Sequence, residues 1–295
     1  MTDTRVLYLL LAAFAATAVW FLWRWYALER ARPATGPRRP RVGDLLVGLV
    51  AEFFDTLGIG SFAQTTAVFK MQKRMPDEQI PGTLNVGYTL PTLVQAFIFT
   101  VLVEVDVTTL ISMIAAAVLG SWLGAGVVAR LPRRAIQIGL GAVLLVAATL
   151  FLSANLGWTA GAGTALVITG GKLAFASAAN FVLGALMTLG LGLYGPCLIL
   201  VSLLGMDPRA AFPIMMGSCA FLMPVCSVRF IQLGRYDVRA AIAMTLAGIP
   251  AVLVAALIVK SMPLVWLRWL VVVVVLYAAT LMLLSARPAA RYGKT

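Results

Sequence analysis

Runs of about 20 apolar residues recur along this chain of 295 residues, long enough to cross the roughly 30 Å hydrocarbon core of a bilayer as helices. Lipid offers no partner for a backbone N–H or C=O, so only helices and closed barrels span it. A barrel requires short strands that alternate in polarity. The stretch Val271-Val272-Val273-Val274-Val275 does not alternate. The expectation is an all-α, polytopic membrane protein. Composition agrees, since charged residues make up 12% against about 25% in soluble domains.

A net charge of +12 could suggest nucleic acid, but the basic residues fall in short segments between apolar spans, where topology signals belong. No basic face with interleaved aromatics appears, so nucleic acid is not an expected partner. The chain has no histidine, which removes imidazole triads, imidazole metal sites and histidine proton relays. Cys197, Cys219 and Cys226 lie in apolar stretches without CxxC spacing and read as small packing residues. No P-loop pattern occurs, so nucleotide-driven transport is not expected. Neither cofactor nor metal is expected, and the chain is not read as an enzyme.

The first span, Val6 to Tyr26, carries small residues around Ala12 to Ala18 that would suit a signal peptide. Its apolar run nevertheless continues through Trp20-Phe21-Leu22-Trp23, and Arg5 is offset by Asp3. An uncleaved anchor over 1–28 is therefore expected, with Trp20, Trp23, Trp25 and Tyr26 at an interface. A basic linker over 29–41 holds Arg30, Arg32, Arg38, Arg39 and Arg41, within reach of lipid headgroups. Further spans fall near 42–69, 82–103, 108–129, 135–153, 174–204, 214–233, 240–259 and 264–284. Two of them, 42–69 and 174–204, are too long for one upright helix and carry glycines in the middle.

An internal repeat organises the chain. Thr56-Leu57-Gly58-Ile59-Gly60 recurs 132 positions later as Thr188-Leu189-Gly190-Leu191-Gly192, and Pro81 maps onto Pro213. Asp106-Val107, Pro132 and Ala147-Ala148-Thr149-Leu150 recur at an offset of 131 as Asp237-Val238, Pro263 and Ala278-Ala279-Thr280-Leu281. The expected organisation is repeat 1 over 42–153, a connection over 154–173, repeat 2 over 174–284 and a cytoplasmic tail over 285–295. Paired glycine-interrupted segments in a duplicated membrane protein point to a transporter binding site.

Loop charge selects the topology. If each glycine-interrupted segment is a hairpin returning to its own side, the cytoplasmic loops gather Arg30 to Arg41, Lys70/Lys73/Arg74, Arg130/Arg133/Arg134, Arg235/Arg239 and Arg287/Arg291/Lys294. The outer loops then hold Glu104/Asp106, Asp207/Arg209 and Lys260. That sorting obeys the positive-inside rule, and full crossings would violate it. Each repeat has three crossings, an odd number, so the two repeats are expected to be inverted. The membrane is expected to be a bacterial inner membrane.

The break at Gly58-Ile59-Gly60-Ser61 is the first candidate site. A second half-helix starting near Ser61 would aim unsatisfied N–H groups and its positive dipole end at the gap, an anion site without a basic side chain. Gly58, Gly60, Ser61 and Thr65 are the candidates here. Gly190, Gly192 and Tyr194 are their counterparts in the second repeat, where Pro196 suits a first helical turn. The same small residues also permit close helix packing. Asn85, Thr89 and Gln95 lie on the next span around Pro91; Asn85 and Thr89, four apart on one face, could line the site or hold helices together. Glu52 and Asp55, three apart on one helical face, lie inside a span just before the break. Carboxylates are costly there and are functional candidates by default. Asp55, with Glu52, is expected to bind the coupling proton, although a structural role capping helix ends would place them similarly.

The segment Asp55-Thr56-Leu57-Gly58-Ile59-Gly60-Ser61-Phe62-Ala63, followed by Pro81-Gly82-Thr83-Leu84-Asn85-Val86-Gly87, resembles the TauE/SafE-type sulfite exporter family, also called the toluene sulfonate uptake permease family. The resemblance covers about 42–284, both repeats, with the first span and linker as an extension. Members commonly show a GxGGG-like run where this chain has Gly58-Ile59-Gly60-Ser61. The resemblance implies transport of sulfite, sulfonates or related organosulfur anions, or small carboxylates, often with proton coupling.

The leading expectation is thus a proton-coupled secondary transporter for a small anion. A passive channel or exchanger shares the architecture, and a receptor or scaffold would show no flux. Protons and membrane lipids are the other expected partners, and assembly as a homo-oligomer is left open. The topology has a direct test. Single cysteines introduced at Lys73 and Arg134, in a cysteine-free background, should resist an impermeant thiol reagent added outside cells, whereas one at Glu104 should react. Outside labelling at Lys73 would contradict the hairpin arrangement.

Overall fold

The computed structural model describes residues 2–32, 39–128, 132–156, 158, 163–187 and 193–286. Among these it forms eleven α-helices: α1 (Thr2–Arg30), α2 (Val42–Thr56), α3 (Phe62–Met71), α4 (Ile80–Leu102), α5 (Val107–Val128), α6 (Arg133–Asn155), α7 (Gly170–Met187), α8 (Tyr194–Leu203), α9 (Ala211–Leu233), α10 (Val238–Ser261) and α11 (Leu264–Ser285). By length and composition, seven helices can cross a membrane, and shorter apolar helical stretches over Val107–Leu123 and Tyr194–Leu203 accompany them. The chain is an all-α polytopic membrane protein. Each segment too long for one helix contains two, α2 with α3 and α7 with α8.

Both pairs are hairpins whose ends meet. Arg74, just beyond α3, bonds Asp44 in the first turn of α2. Arg41 adds a longer ion pair to Asp44 at 3.8 Å. In the second half, Ala165 exchanges backbone bonds with Gly205 (3.2 Å) and Asp207 (2.9 Å), so the approach to α7 lies beside the exit of α8. The two exits share a local cause. Lys73 N–H bonds Lys70 C=O and Arg74 N–H bonds Phe69 C=O. Gly205 and Met206 repeat this with Ser202 and Val201. These paired bonds are those of a Schellman end, 132 positions apart in the chain.

The halves are stitched together by exchange of partners. Helix α2 packs on α10, α7 on α5, α4 on α9, and α6 on α11. An added Cβ at Gly48 would meet Met244, and one at Gly248 would meet Glu52. Their counterparts at the repeat offsets also touch: Asn180 Nδ2 donates to Met113 C=O at 2.7 Å, and Gly184 lies against Ala117. In lipid, where apolar burial drives helix association weakly, such close backbone approach through small residues holds helices together.

The charged loops separate into two ends. Arg32 bonds Ile231 C=O, Arg41 pairs with Asp237 at 3.5 Å, and Asp237 N–H donates to Thr83 Oγ1 at 2.9 Å. This end gathers Arg30, Arg32, Arg41, Lys70, Lys73, Arg74, Arg235 and Arg239. The opposite end is closed by Asp106 N–H to Leu166 C=O at 3.0 Å and Arg209 to Met262 C=O at 3.0 Å. Arg38, Arg130, Arg287, Arg291 and Lys294 lie outside the described residues.

Helix α1 is tied into this frame. Phe14 and Phe21 are fully buried, and Phe14 packs against Phe97 and Phe221. At the basic end, Trp25 Nε1–H donates to Tyr236 Oη at 3.0 Å and Tyr236 O–H donates to Glu29. Burial and the Glu29 carboxylate hold the Tyr236 phenol above its ordinary pKa, so it stays a donor.

The α5–α7 contact gives a clear expectation. Side chains at Gly120 and Gly184 would collide with the Phe181 and Ala117 carbonyls, while one at Gly139 would meet nothing within 4 Å. Gly120→Val and Gly184→Val should each lose about 1–3 kcal/mol through overpacking, read as lowered melting in detergent, and Gly139→Ala should melt like the parent.

Candidate functional site

Helix α2 stops because the chain takes a left-handed turn that only glycine adopts without strain. Gly58 has φ +93 and Gly60 φ +85. Gly58 N–H bonds Asp55 C=O at 2.8 Å and Ile59 N–H bonds Phe54 C=O at 3.1 Å, again a Schellman end. Helix α3 then starts at Phe62. The expected break is present in the first half. Gly190 and Gly192 lie outside the described residues; the second half resumes at Leu193, with Tyr194, Gly195, Pro196 and Cys197 buried in the first turn of α8.

A buried polar cluster fills the first break. Ser61 N–H donates to Asp55 Oδ1 at 2.6 Å, so the carboxylate caps the half-helix and meets its dipole with the favourable sign. One of the N–H groups expected to face an anion, that of Ser61, is thus taken by the protein's own acid. At the centre stands Gln95 of α4. Its Nε2 lies 3.1 Å from Glu52 Oε2, 3.0 Å from Asp55 Oδ2 and 2.9 Å from Thr56 Oγ1. Its Oε1 accepts from Tyr194 O–H of α8 at 3.1 Å. Glu52 and Gln95 are fully buried and Asp55 nearly so. Among the described residues Glu52 Oε1 has no hydrogen-bond partner.

The other candidates divide. Thr65, buried on α3, pairs its hydroxyl with Tyr88 at 2.7 Å. Thr89 Oγ1 lies 2.6 Å from Asn85 C=O and 2.8 Å from Ser227 of α9, joining helices. Asn85 Nδ2 donates to Pro81 C=O in its own helix at 2.9 Å and is not brought to the cluster. The face of α4 that meets the site is one position over, through Tyr88 and Gln95, seven apart. Tyr88 is absent from the sequence candidates, and Gln95, noted on this span, is not among the expected site residues. The available signal was a carboxamide and a phenol at helical spacing inside an apolar span, since an intramembrane polar group needs an internal partner.

Apolar groups roof the break. Phe99 and Phe212 stack with centroids 5.1 Å apart, and the Phe212 ring and Met215 lie within 4 Å of the Cβ position of Gly58. Among the described residues nothing lies within 4 Å of that position at Gly60. A cavity of about 260 Å³ runs between α2 and α3, with Gln64 and Thr65 as its polar lining. Another of about 360 Å³ lies at the acidic end near Glu104 and Asp106. Neither is lined by Glu52, Asp55, Gln95 or Tyr194.

Comparison with known proteins follows from this geometry. A family model described as Sulfite exporter TauE/SafE matches residues 1–152. The match takes in α1, which the sequence resemblance left out, and nearly all of the first five-helix set. It stops before the second set, which the resemblance included. No curated protein and no solved structure matches the chain.

Two substitutions separate backbone conformation from side-chain contact. Gly60→Ala should destabilise the fold by about 1–2 kcal/mol through its positive φ rather than through a clash with a described neighbour. Asn85→Ala, whose amide serves its own helix, should stay within about 0.5 kcal/mol of the parent. Thermal melts in detergent check both.

Proposed function

Because the chain belongs to the sulfite exporter TauE/SafE family, we propose that it is a proton-coupled secondary transporter of a small oxyanion, sulfite or an organosulfonate. The observation that carries the coupling is the carboxylate pair at the break. Glu52 and Asp55 share one carboxamide, and the described hydrogen bonds and ion pairs give them no Lys or Arg partner. Two ionised acids there would repel each other in low dielectric. Asp55 has donors suited to an anion, the Ser61 N–H and Gln95. Glu52 keeps an oxygen without a donor, a costly state for an ionised group and a natural one for a protonated group. In this reading Glu52 carries the proton, and Asp55, the acid favoured by sequence, chiefly holds the half-helix.

The anion enters close to Gly58, Gly60, Ser61, Thr65 and Tyr194; Gly190 and Gly192, outside the described residues, stay candidates by the repeat in the sequence alone. Thr89 and Asn85 sit on the margin of this region. An anion beside ionised acids is repelled, and protonation removes the repulsion. Proton and anion therefore favour each other's binding, and by linkage the effect is reciprocal. The exchange of partners between halves supports an inverted repeat, with one half rocking against the other to alternate access. The basic end, with its excess of Arg and Lys, is the cytoplasmic one, and the membrane is a bacterial inner membrane.

The test is uptake of labelled sulfite or sulfonate into proteoliposomes under an imposed pH gradient. Glu52→Gln mimics the neutral acid. It should exchange anion at equilibrium but lose gradient-driven accumulation by about tenfold or more, whereas Asp55→Asn should mainly lower stability. Full accumulation by Glu52→Gln moves the proton to Asp55. Full accumulation by the double variant rejects coupling through this pair, and flux without any response to the gradient identifies a channel or exchanger.

A further inference from the structure

We infer that Gln95 is a positioning residue that couples the carboxylates of the first hairpin to the anion-facing Tyr194 of the second, an inference that rests on the proton-coupled reading above. Gln95 is fully buried and belongs to neither hairpin, yet it touches both. A carboxamide has two N–H hydrogens, but Nε2 faces three oxygens between 2.9 and 3.1 Å away. One acceptor is therefore always short of a donor. The hydroxyl of Tyr194 fixes the orientation of the amide by donating to Oε1. That bond decides which way the NH₂ points.

The consequence runs from one hairpin to the other. An anion arriving at the second break competes for the Tyr194 hydrogen. Oε1 then loses its donor, so the amide is held only by its own bonds to the acids and Thr56, and it can turn so that those bonds weaken. Each carboxylate that loses an N–H becomes a better proton acceptor, because hydrogen bonds to the charged form had stabilised it. Anion binding at Tyr194 thus promotes proton uptake at Glu52 and Asp55. The titratable groups facing the pair are Tyr88 of α4, Tyr194 of α8 and Cys219 of α9. Tyr88 is engaged with Thr65. Tyr194 also faces Asp55 directly, a contact that bypasses the amide, so Gln95→Leu reads the share of the coupling that passes through Gln95.

The absence of histidine makes the test clean. No side chain with an ordinary pKa titrates between about pH 5 and pH 8, so pH dependence in that range reports a perturbed group. Methanesulfonate is the probe, because it stays an anion throughout. Its affinity for the purified chain in detergent is measured by calorimetry across that range. For the parent, affinity should tighten by up to about tenfold per unit fall in pH, the limit for one coupled proton. In Gln95→Leu the dependence should fall below about threefold per unit, with binding itself retained. Tyr194→Phe, a milder change that guards against misfolding of the first variant, should show the same flattening. The double variant should be no flatter than either single one, the signature of a shared path. A purely structural Gln95 would lower the melting temperature and leave the pH dependence at the parent's. If both single variants keep that dependence while Glu52→Gln/Asp55→Asn loses it, the relay is wrong and the coupling reading stands. A parent chain that binds no sulfonate, or binds it without pH dependence, overturns both.

Discussion

Two carboxylates buried at a broken helix, with no cation described beside them, are the constraint on which this structure turns. A bilayer tolerates a charge only where protein supplies its solvation, and here the supply is specific. One acid is solvated by the N-terminus of the half-helix that the break creates. The pair shares a carboxamide from a neighbouring span. The break exists because Gly58 and Gly60 turn left-handed, and the acids can stay because the break exposes backbone donors. Helix ending and acid burial are therefore one device. The hairpin, the crossing of α4 and the approach of Tyr194 from the other half are all needed to complete it.

The second constraint is close packing without a hydrophobic drive. Gly48, Gly120 and Gly184 bring backbones into contact at the two swapped interfaces, α2 with α10 and α5 with α7. Each half lends one helix to the other, so neither hairpin is framed by its own half alone. A motion of one half relative to the other would move each hairpin against its frame, which is the mechanical requirement of alternating access. The N-terminal helix joins the frame through Phe14, Phe21 and the Trp25–Tyr236–Glu29 chain. Its inclusion in the family match agrees with that packing.

Much of this was legible in the sequence, for identifiable reasons. Span length and apolar runs follow from bilayer thickness, so the helices fall close to the expected spans. The glycine pair gave the first break because positive φ is written into residue type. The hairpin course of α2 and α3 was readable from Lys70, Lys73 and Arg74, since charge sorts loops. Side-chain direction was not readable. Asn85 and Thr89 were chosen for their spacing, but the face that meets the acids lies about 100° around the helix, at Tyr88 and Gln95. Nor could local sequence foresee that Asp55 would occupy the anion-binding end of α3, because that depends on how the chain folds back between Asp55 and Ser61.

The central claim is that an anion and a proton bind together at this break. The most direct check is proton uptake when a saturating sulfonate is added to the purified chain in weakly buffered detergent, followed with a pH indicator at several starting pH values. Uptake should approach one proton per anion bound at pH values between the titration of the anion-free pair and that of the anion-bound pair, and be absent from the chain with both acids neutralised. Anion binding with no proton taken up at any starting pH would contradict the claim.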